Sequence, residues 1–157
     1  MNDTEEKILS VMKANGVQYE IFEHKPVYTC SKMAEFLKTD EDRIAKSMIM
    51  KKSNGGYLLA VLPGSMKIDF SRLAAVADTN SVSFASMDAA EEIAGCSVGA
   101  VHPFGNLMNL QTYFDKNLLR YDYVFFNPGS HIKSVRIDTQ ALVRLVRPII
   151  AAFAKPA

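Results

Sequence analysis

Residues 45–62, AKSMIMKKSNGGYLLAVL, constrain the fold of this 157-residue chain more than any other stretch. Two apolar, β-rich runs, Ala45–Lys52 and Tyr57–Leu62, flank the linker SNGG. Asn-Gly between two such runs is a strong hairpin signal. The spacing therefore predicts a β-hairpin, and Pro63-Gly64 turns the chain out of it. Lys46 opens the first, otherwise apolar, strand. It is either a lysine snorkelling from a strand end or a cation lining a pocket. Strict alternation puts Lys46 and Lys52 on one face and Lys51 on the other. A site shared by Lys46 and Lys51 would need a bulge or a strand end.

Short strands and helices alternate around this hairpin. Asp3–Asn15 reads as a helix with Asp3 and Glu6 at capping-box spacing, an apolar stripe of Ile8, Leu9, Val11 and Met12, and Gly16 as its stop. Tyr19–Phe22 reads as a strand, broken by His24-Lys25-Pro26. Ser31 is placed to cap a short helix through Leu37 that buries Met33, Ala34, Phe36 and Leu37. Asp69 or Ser71 caps a helix carrying Leu73, Ala74 and Val76, and Val82–Ala85 is strand-like. Ser86 caps Asp88–Ala94, which Gly95 ends. Thr112–Phe114, Val124–Phe126 and Ser134–Ile137 are strand-like, with NPGS at Asn127–Ser130 as the turn between the last two. Asp138 caps a final helix, Gln140–Val146, stopped by Pro148. The tail AAFAKPA carries no local signal. There is no regular βαβ rhythm, repeat or linker. The expectation is one α/β domain over residues 1–157, with a mixed, curved sheet and helices packed outside it.

The bulk numbers remove several function classes. Apolar residues at 48% and charged residues at 22% are ordinary for a soluble globular chain. No apolar run approaches the roughly 18 residues of a membrane span. The acidic N-terminus MNDTEEKILS lacks a signal-peptide pattern, so a cytoplasmic location is expected, with no membrane partner. A net charge of +1 argues against a broad DNA binder, though not against a site touching a few phosphates. Two cysteines, Cys30 and Cys96, read as free thiols. No heptad or self-pairing segment stands out, and a monomer is the default.

Gly95–Gly105 reads GCSVGAVHPFG, with three glycines and a proline in eleven residues. Such density marks a backbone that must take a set shape. Three scattered histidines, His24, His102 and His131, give no metal-ligand spacing, so no metal is expected. Neither a phosphate-binding glycine loop nor a G-x-S-x-G elbow is present, and no other cofactor is implied. Cys96 has no neighbour that would lower its pKa and reads as small core filler. His102 precedes Pro103 and reads as structural. His131, at the end of NPGSH, either projects into a pocket or is solvated. The residues alone stop at an α/β domain with a shaped Gly/Pro loop.

Taken in order, AKSMIMKK, YLLAVLPGSMKID, GCSVGAVHPFG and DYVFFNPGSHIKSVRI resemble the YbaK/ProX family of free-standing aminoacyl-tRNA editing domains, which are similar to the domain inserted in bacterial prolyl-tRNA synthetases. The likeness runs from about Tyr19 to Pro148. It implies that family's fold, with a partly barrel-like sheet, and hydrolysis of the ester joining a wrong amino acid to its tRNA. The pocket signature falls on Gly99, Ala100, Val101, His102 and Pro103. The pocket lysine falls on Lys46, with Ser47 beside it and the further basic residue at Lys51. The Gly-Ser-His turn falls on Gly129, Ser130 and His131. The resemblance implies contact of Lys46 with the terminal phosphate or aminoacyl group of the tRNA CCA end, and a pocket wall at His131. A synthetase is a further candidate partner. Removal of alanine, serine, threonine or cysteine fits the family. A non-catalytic module holding a tRNA end or a small ligand in the same pocket is the competing reading, and a hydrolase using Cys96 is a third.

The loop offers a physical route to such chemistry. Backbone N–H groups in a rigid Gly/Pro loop stabilise an oxyanion. They also fix the direction from which water attacks, with a ribose hydroxyl of the tRNA helping that water. Gly99 would let the ester approach the main chain, and Pro103 would hold the loop's shape.

Overall fold

A computed structural model describes residues 2–157. The elements run α1 (Asp3–Ala14), β1 (Tyr19–Glu23), α2 (Cys30–Leu37), β2 (Ala45–Lys52), β3 (Tyr57–Pro63), β4 (Met66–Ile68), α3 (Phe70–Val76) and β5 (Val82–Phe84). They continue with α4 (Met87–Ala94), β6 (Gln111–Asp115), β7 (Tyr123–Phe126), β8 (Lys133–Asp138), α5 (Thr139–Val146), β9 (Ile149–Ala151) and β10 (Ala154–Pro156). Short 3-10 turns fill several connections, one of them at Val98–Ala100.

The hairpin is the spine. Strands β2 and β3 pair antiparallel in unbroken register from Ala45 opposite Pro63 to Lys51 opposite Tyr57. They sit inside a five-stranded mixed sheet of order β5-β2-β3-β6-β9, in which β3, β6 and β9 are parallel. A second, antiparallel sheet has the order β1-β8-β7, and β10 pairs with β4 in a third. The expected mixed sheet with helices around it is therefore present, but it is not a closed barrel. A single bridge between Ile44 and Phe125 links the first two sheets.

Both faces of the hairpin are covered, which explains why its strands read as continuous apolar runs. Leu59 and Val61 face a core built with Ile8 and Met12 of α1, Leu142 of α5, and Phe126 and Val135 of the second sheet. Leu58, Ala60 and Leu62 face the other way, onto Leu73 and Ala74 of α3 and Phe153. All five of these β3 side chains are fully buried. Each such Leu or Val contributes about 1.5–3 kcal/mol relative to exposure. A small third cluster of Met33 and Ala34 with Ile44 and Phe125 fastens α2 over the start of β2.

Local signals set most helix ends. Asp69, Ser86 and Asp138 cap α3, α4 and α5 through their side-chain oxygens, and Gly95 ends α4 in the left-handed region. Two expected caps are displaced. Asn2, rather than Asp3, accepts from the Glu5 N–H, and Thr29, rather than Ser31, accepts from the Lys32 N–H. Of the four residues expected to be buried on α2, Met33 and Ala34 are, whereas Phe36 is 47% exposed and Leu37 is half-buried. The tail, silent in the sequence, forms β9 and β10. The fully buried Asp115 carboxylate holds it there, accepting from Phe153 and Ala154 N–H at 2.9 Å each and from Asn117 N–H at 2.9 Å.

Candidate active site

Four segments enclose a cavity of about 220 Å3 at the start of β2. They are Val27–Cys30 before and into α2, Ile44–Met48, the Val98–Val101 turn, and Asn127. The volume lies below the roughly 300–1,000 Å3 of pockets for drug-sized ligands, and suits a small group. A larger, open hollow of about 620 Å3 lies between Val17–Glu20, Asp122–Tyr123 and Arg136–Asp138. Among the described residues Arg136 is its one lining cation, with Arg43 behind it. Arg43 pairs with Asp122 at 2.9 Å, Arg136 pairs with Glu20 at 3.7 Å, and both guanidinium groups lie over the Tyr123 ring.

Lys46 lines the smaller cavity. Its Nζ donates to the Met66 carbonyl at 2.5 Å and the Gly64 carbonyl at 3.4 Å. That turn is held from behind, because Ser65 Oγ donates to the Asp42 carboxylate, which also accepts from Tyr121 Oη at 3.0 Å. The ammonium is thus aimed by backbone carbonyls and keeps one of its three N–H groups for a ligand. Ser47, next to it, also lines the cavity and is 7% exposed. Among the described residues its Oγ has no hydrogen-bond partner. Leaving a buried hydroxyl unpaired costs about 1–3 kcal/mol, which a polar ligand group would recover.

The Gly/Pro loop forms the facing wall. Val98, Gly99 and Val101 line the cavity. The Ala100 N–H donates to the Ser97 carbonyl at 2.9 Å, and among the described residues no acceptor pairs with the Gly99 or Val101 N–H. Gly99 and Val101 both belong to the turn around Val98–Ala100 that faces Lys46 across the cavity. A glycine at 99 has a steric reason within the protein. A Cβ there would lie 2.9 Å from His131 Cε1, so the room is needed by a side chain of the protein itself.

His131 does not itself line the cavity but ties its walls together. Its Nδ1–H donates to the Val27 carbonyl at 3.1 Å, and its own carbonyl accepts from the Val27 N–H at 3.0 Å. Its ring lies 4.6 Å from that of Tyr28, centroid to centroid. Gly129 and Ser130 shape this turn from outside the cavity. Gly129 adopts φ +85°, and its carbonyl accepts from Asn2 Nδ2 at 3.2 Å. Ser130 Oγ accepts from the Ile132 N–H at 3.2 Å.

The remaining expected site residues lie elsewhere. Lys51 is exposed at the far end of β2, since the regular β2–β3 register has no bulge to bring it beside Lys46. Ala100, His102 and Pro103 are buried behind the loop and do not line the cavity. His102 turns to a separate hollow beside Lys7, Glu92 and Gly95. Its Nδ1 accepts from the Phe104 N–H at 3.1 Å, and burial pushes its pKa down to about 4. Burial and Glu91 together push the Cys96 thiol up to about 11, far from a nucleophilic thiolate.

Sequence reasoning missed four polar lining residues, Tyr28, Thr29, Cys30 and Asn127. Cys30 sits at the first turn of α2 against Gly64, whose Cβ would come within 2.8 Å of the Cys30 Cβ. Burial raises that thiol, and Lys46 only partly offsets it. Asn127 belongs to the NPGS turn and donates from Nδ2 to the Ser130 and Lys133 carbonyls at 3.3 Å. The turn signal was legible, but nothing in it said that Asn127 faces the cavity.

Comparisons with known proteins converge on one family and one fold. The family model for the aminoacyl-tRNA editing domain matches residues 24–145. The multifunctional Ser/Thr-tRNA deacylase ProXp-y of Escherichia coli K12 is 28% identical over 158 residues, covering 98% of this chain and 95% of that protein. The prolyl-tRNA editing protein ProX of Acetoanaerobium sticklandii is 27% identical over 150 residues, covering 92% of each. The crystal structure of the hypothetical protein APE2540 superposes with a TM-score of 0.88 at 24% identity, covering 95% of this chain and 99% of that one.

Proposed function

Since the chain belongs to the aminoacyl-tRNA editing domain family, we propose that it is a trans-editing hydrolase that removes serine or threonine from mischarged tRNA. The unpartnered Ser47 hydroxyl beside Lys46 carries this choice of amino acid. A buried hydroxyl left unpaired favours a ligand that brings its own donor or acceptor, and serine and threonine bring one where alanine does not. The name of the Escherichia coli relative supports the same choice.

The reaction is attack of water on the ester carbonyl carbon. The bond from that carbon to the ribose oxygen breaks, giving the free amino acid and a tRNA with its terminal hydroxyl restored. The Gly99 and Val101 N–H groups suit the oxygen that gains charge in the tetrahedral intermediate. Lys46 offers its remaining N–H to the terminal phosphate or the aminoacyl group at the CCA end. Cys96 and His102 have no part in the chemistry. A neighbouring ribose hydroxyl helps orient the water.

A deacylation panel tests this reading. One tRNA is charged in turn with Ser, Thr, Ala, Cys and Pro, and wild type is run beside Lys46→Ala. Release of Ser and Thr, with Pro spared, is the expected result. Loss of one charge-assisted contact of about 2 kcal/mol makes the mutant about 30-fold slower in kcat/KM. Binding of the tRNA without release of any amino acid would replace the hydrolase with a binding module.

A further inference from the structure

A second groove, of about 800 Å3, opens beside the ester cavity. Val27, Tyr28 and Thr29 line both. The rest of the groove is Pro26 and, along α2, Lys32, Glu35, Phe36 and Lys38. Tyr28 is 67% exposed and Phe36 47%, although large aromatic rings usually gain by burial. Two exposed rings interleaved with lysines at the mouth of the cavity that holds Lys46 and Ser47 is the composition of a single-strand nucleic-acid platform.

We infer that this groove is the seat of the single-stranded 3′ end of the acceptor RNA, with the terminal adenine stacked on Tyr28, the next base on Phe36, and the phosphate between them and the one that follows on Lys32 and Lys38. The inference rests on the editing reading, and follows from continuity. An ester group in the small cavity drags its nucleoside to the mouth, and Tyr28 is the ring there. The His131 ring, 4.6 Å away and tilted by 46°, backs Tyr28 and fixes its orientation. His24, 5.0 Å from Phe36, does the same for the second ring. The charges are complementary to RNA. Glu35 is the one acid in the groove, and its 3.5 Å pair with Lys32 is an exposed contact, the kind that holds a lysine only weakly. Sequence-independent stacking needs few charges, in keeping with a net charge of +1.

The test uses the trinucleotide CCA with 2-aminopurine as its last base, titrated into the full-length protein, alongside deacylation of seryl-tRNA. Stacking on Tyr28 quenches the 2-aminopurine fluorescence. Tyr28→Leu abolishes the quench, weakens binding about tenfold, and raises KM for seryl-tRNA by a similar factor with kcat within twofold. Tyr28→Phe and Tyr28→Trp restore both, which a merely structural role for the hydroxyl or for bulk would not produce. Removing Lys32 and Lys38 together lowers the slope of log affinity against log salt by about 1.4. Full quench and unchanged KM in Tyr28→Leu, with wild-type hydrolysis intact, overturns the platform and leaves the editing reading standing. A Tyr28-dependent quench in a protein that hydrolyses no charged tRNA supports the platform and overturns the editing reading. Neither binding nor hydrolysis by wild type overturns both.

Discussion

The His131 ring occupies the space that a side chain at position 99 would need: a Cβ on Gly99 would meet His131 Cε1 at 2.9 Å. One contact therefore sets the distance between the Gly/Pro loop and the Val27–Tyr28 wall, which His131 holds through the Val27 carbonyl. Gly99→Ala is expected to destabilise the fold by about 1–3 kcal/mol through overpacking and to lower deacylation more than it lowers tRNA binding. The double variant Gly99→Ala, His131→Ala should recover most of the stability, because the two sites share one volume. A denaturant-melt double-mutant cycle reads the coupling, and additive losses would contradict it.

His102 makes stability depend on pH. Its folded pKa, about 4, lies below the ordinary value of 6.5 because burial disfavours the charged ring. The unfolded chain therefore binds the proton more readily between those values. The contribution is whole above about pH 6.5, is lost as pH falls towards 4, and changes no further below it. The full loss is about 3 kcal/mol. Urea midpoints measured from pH 7.5 to 4 should fall accordingly. His102→Asn keeps an acceptor for the Phe104 N–H and should flatten that part of the curve.

Cys96 is predicted to be chemically quiet. Burial and Glu91 hold its thiol near 11, so at pH 7.5 almost none is thiolate. Iodoacetamide should modify it far more slowly than a free cysteine, and Cys96→Ala should keep kcat/KM within about twofold. A hundredfold loss in that variant would reinstate the cysteine hydrolase.

The sequence made legible what was local. Asn-Gly between β-rich runs located the hairpin, and the oxygens of Asp69, Ser86 and Asp138 located three helix starts. Strand alternation already separated Lys51 from Lys46, and the unbroken register keeps them apart. What stayed hidden depends on distant partners. The tail becomes two strands only because Asp115, 38 residues before Phe153, collects its N–H groups. Within the Gly99–Pro103 signature, spacing placed the residues on one loop but could not say which side each faces. Gly99 and Val101 meet the cavity, while His102 turns away from it. Ser47 was legible as the neighbour of Lys46, but its unpaired Oγ is a property of the packed fold.

Ser47 gives the most direct test. The measurement is the ratio of kcat/KM for seryl-tRNA to that for alanyl-tRNA on one tRNA body, in wild type and in Ser47→Ala. A hydrogen bond made only to a hydroxylated substrate gives wild type a preference of about tenfold or more for serine. Ser47→Ala should bring that ratio towards one, chiefly by losing activity on serine. An unchanged ratio in the variant, or a wild type that prefers alanine, would contradict the role assigned to this pocket.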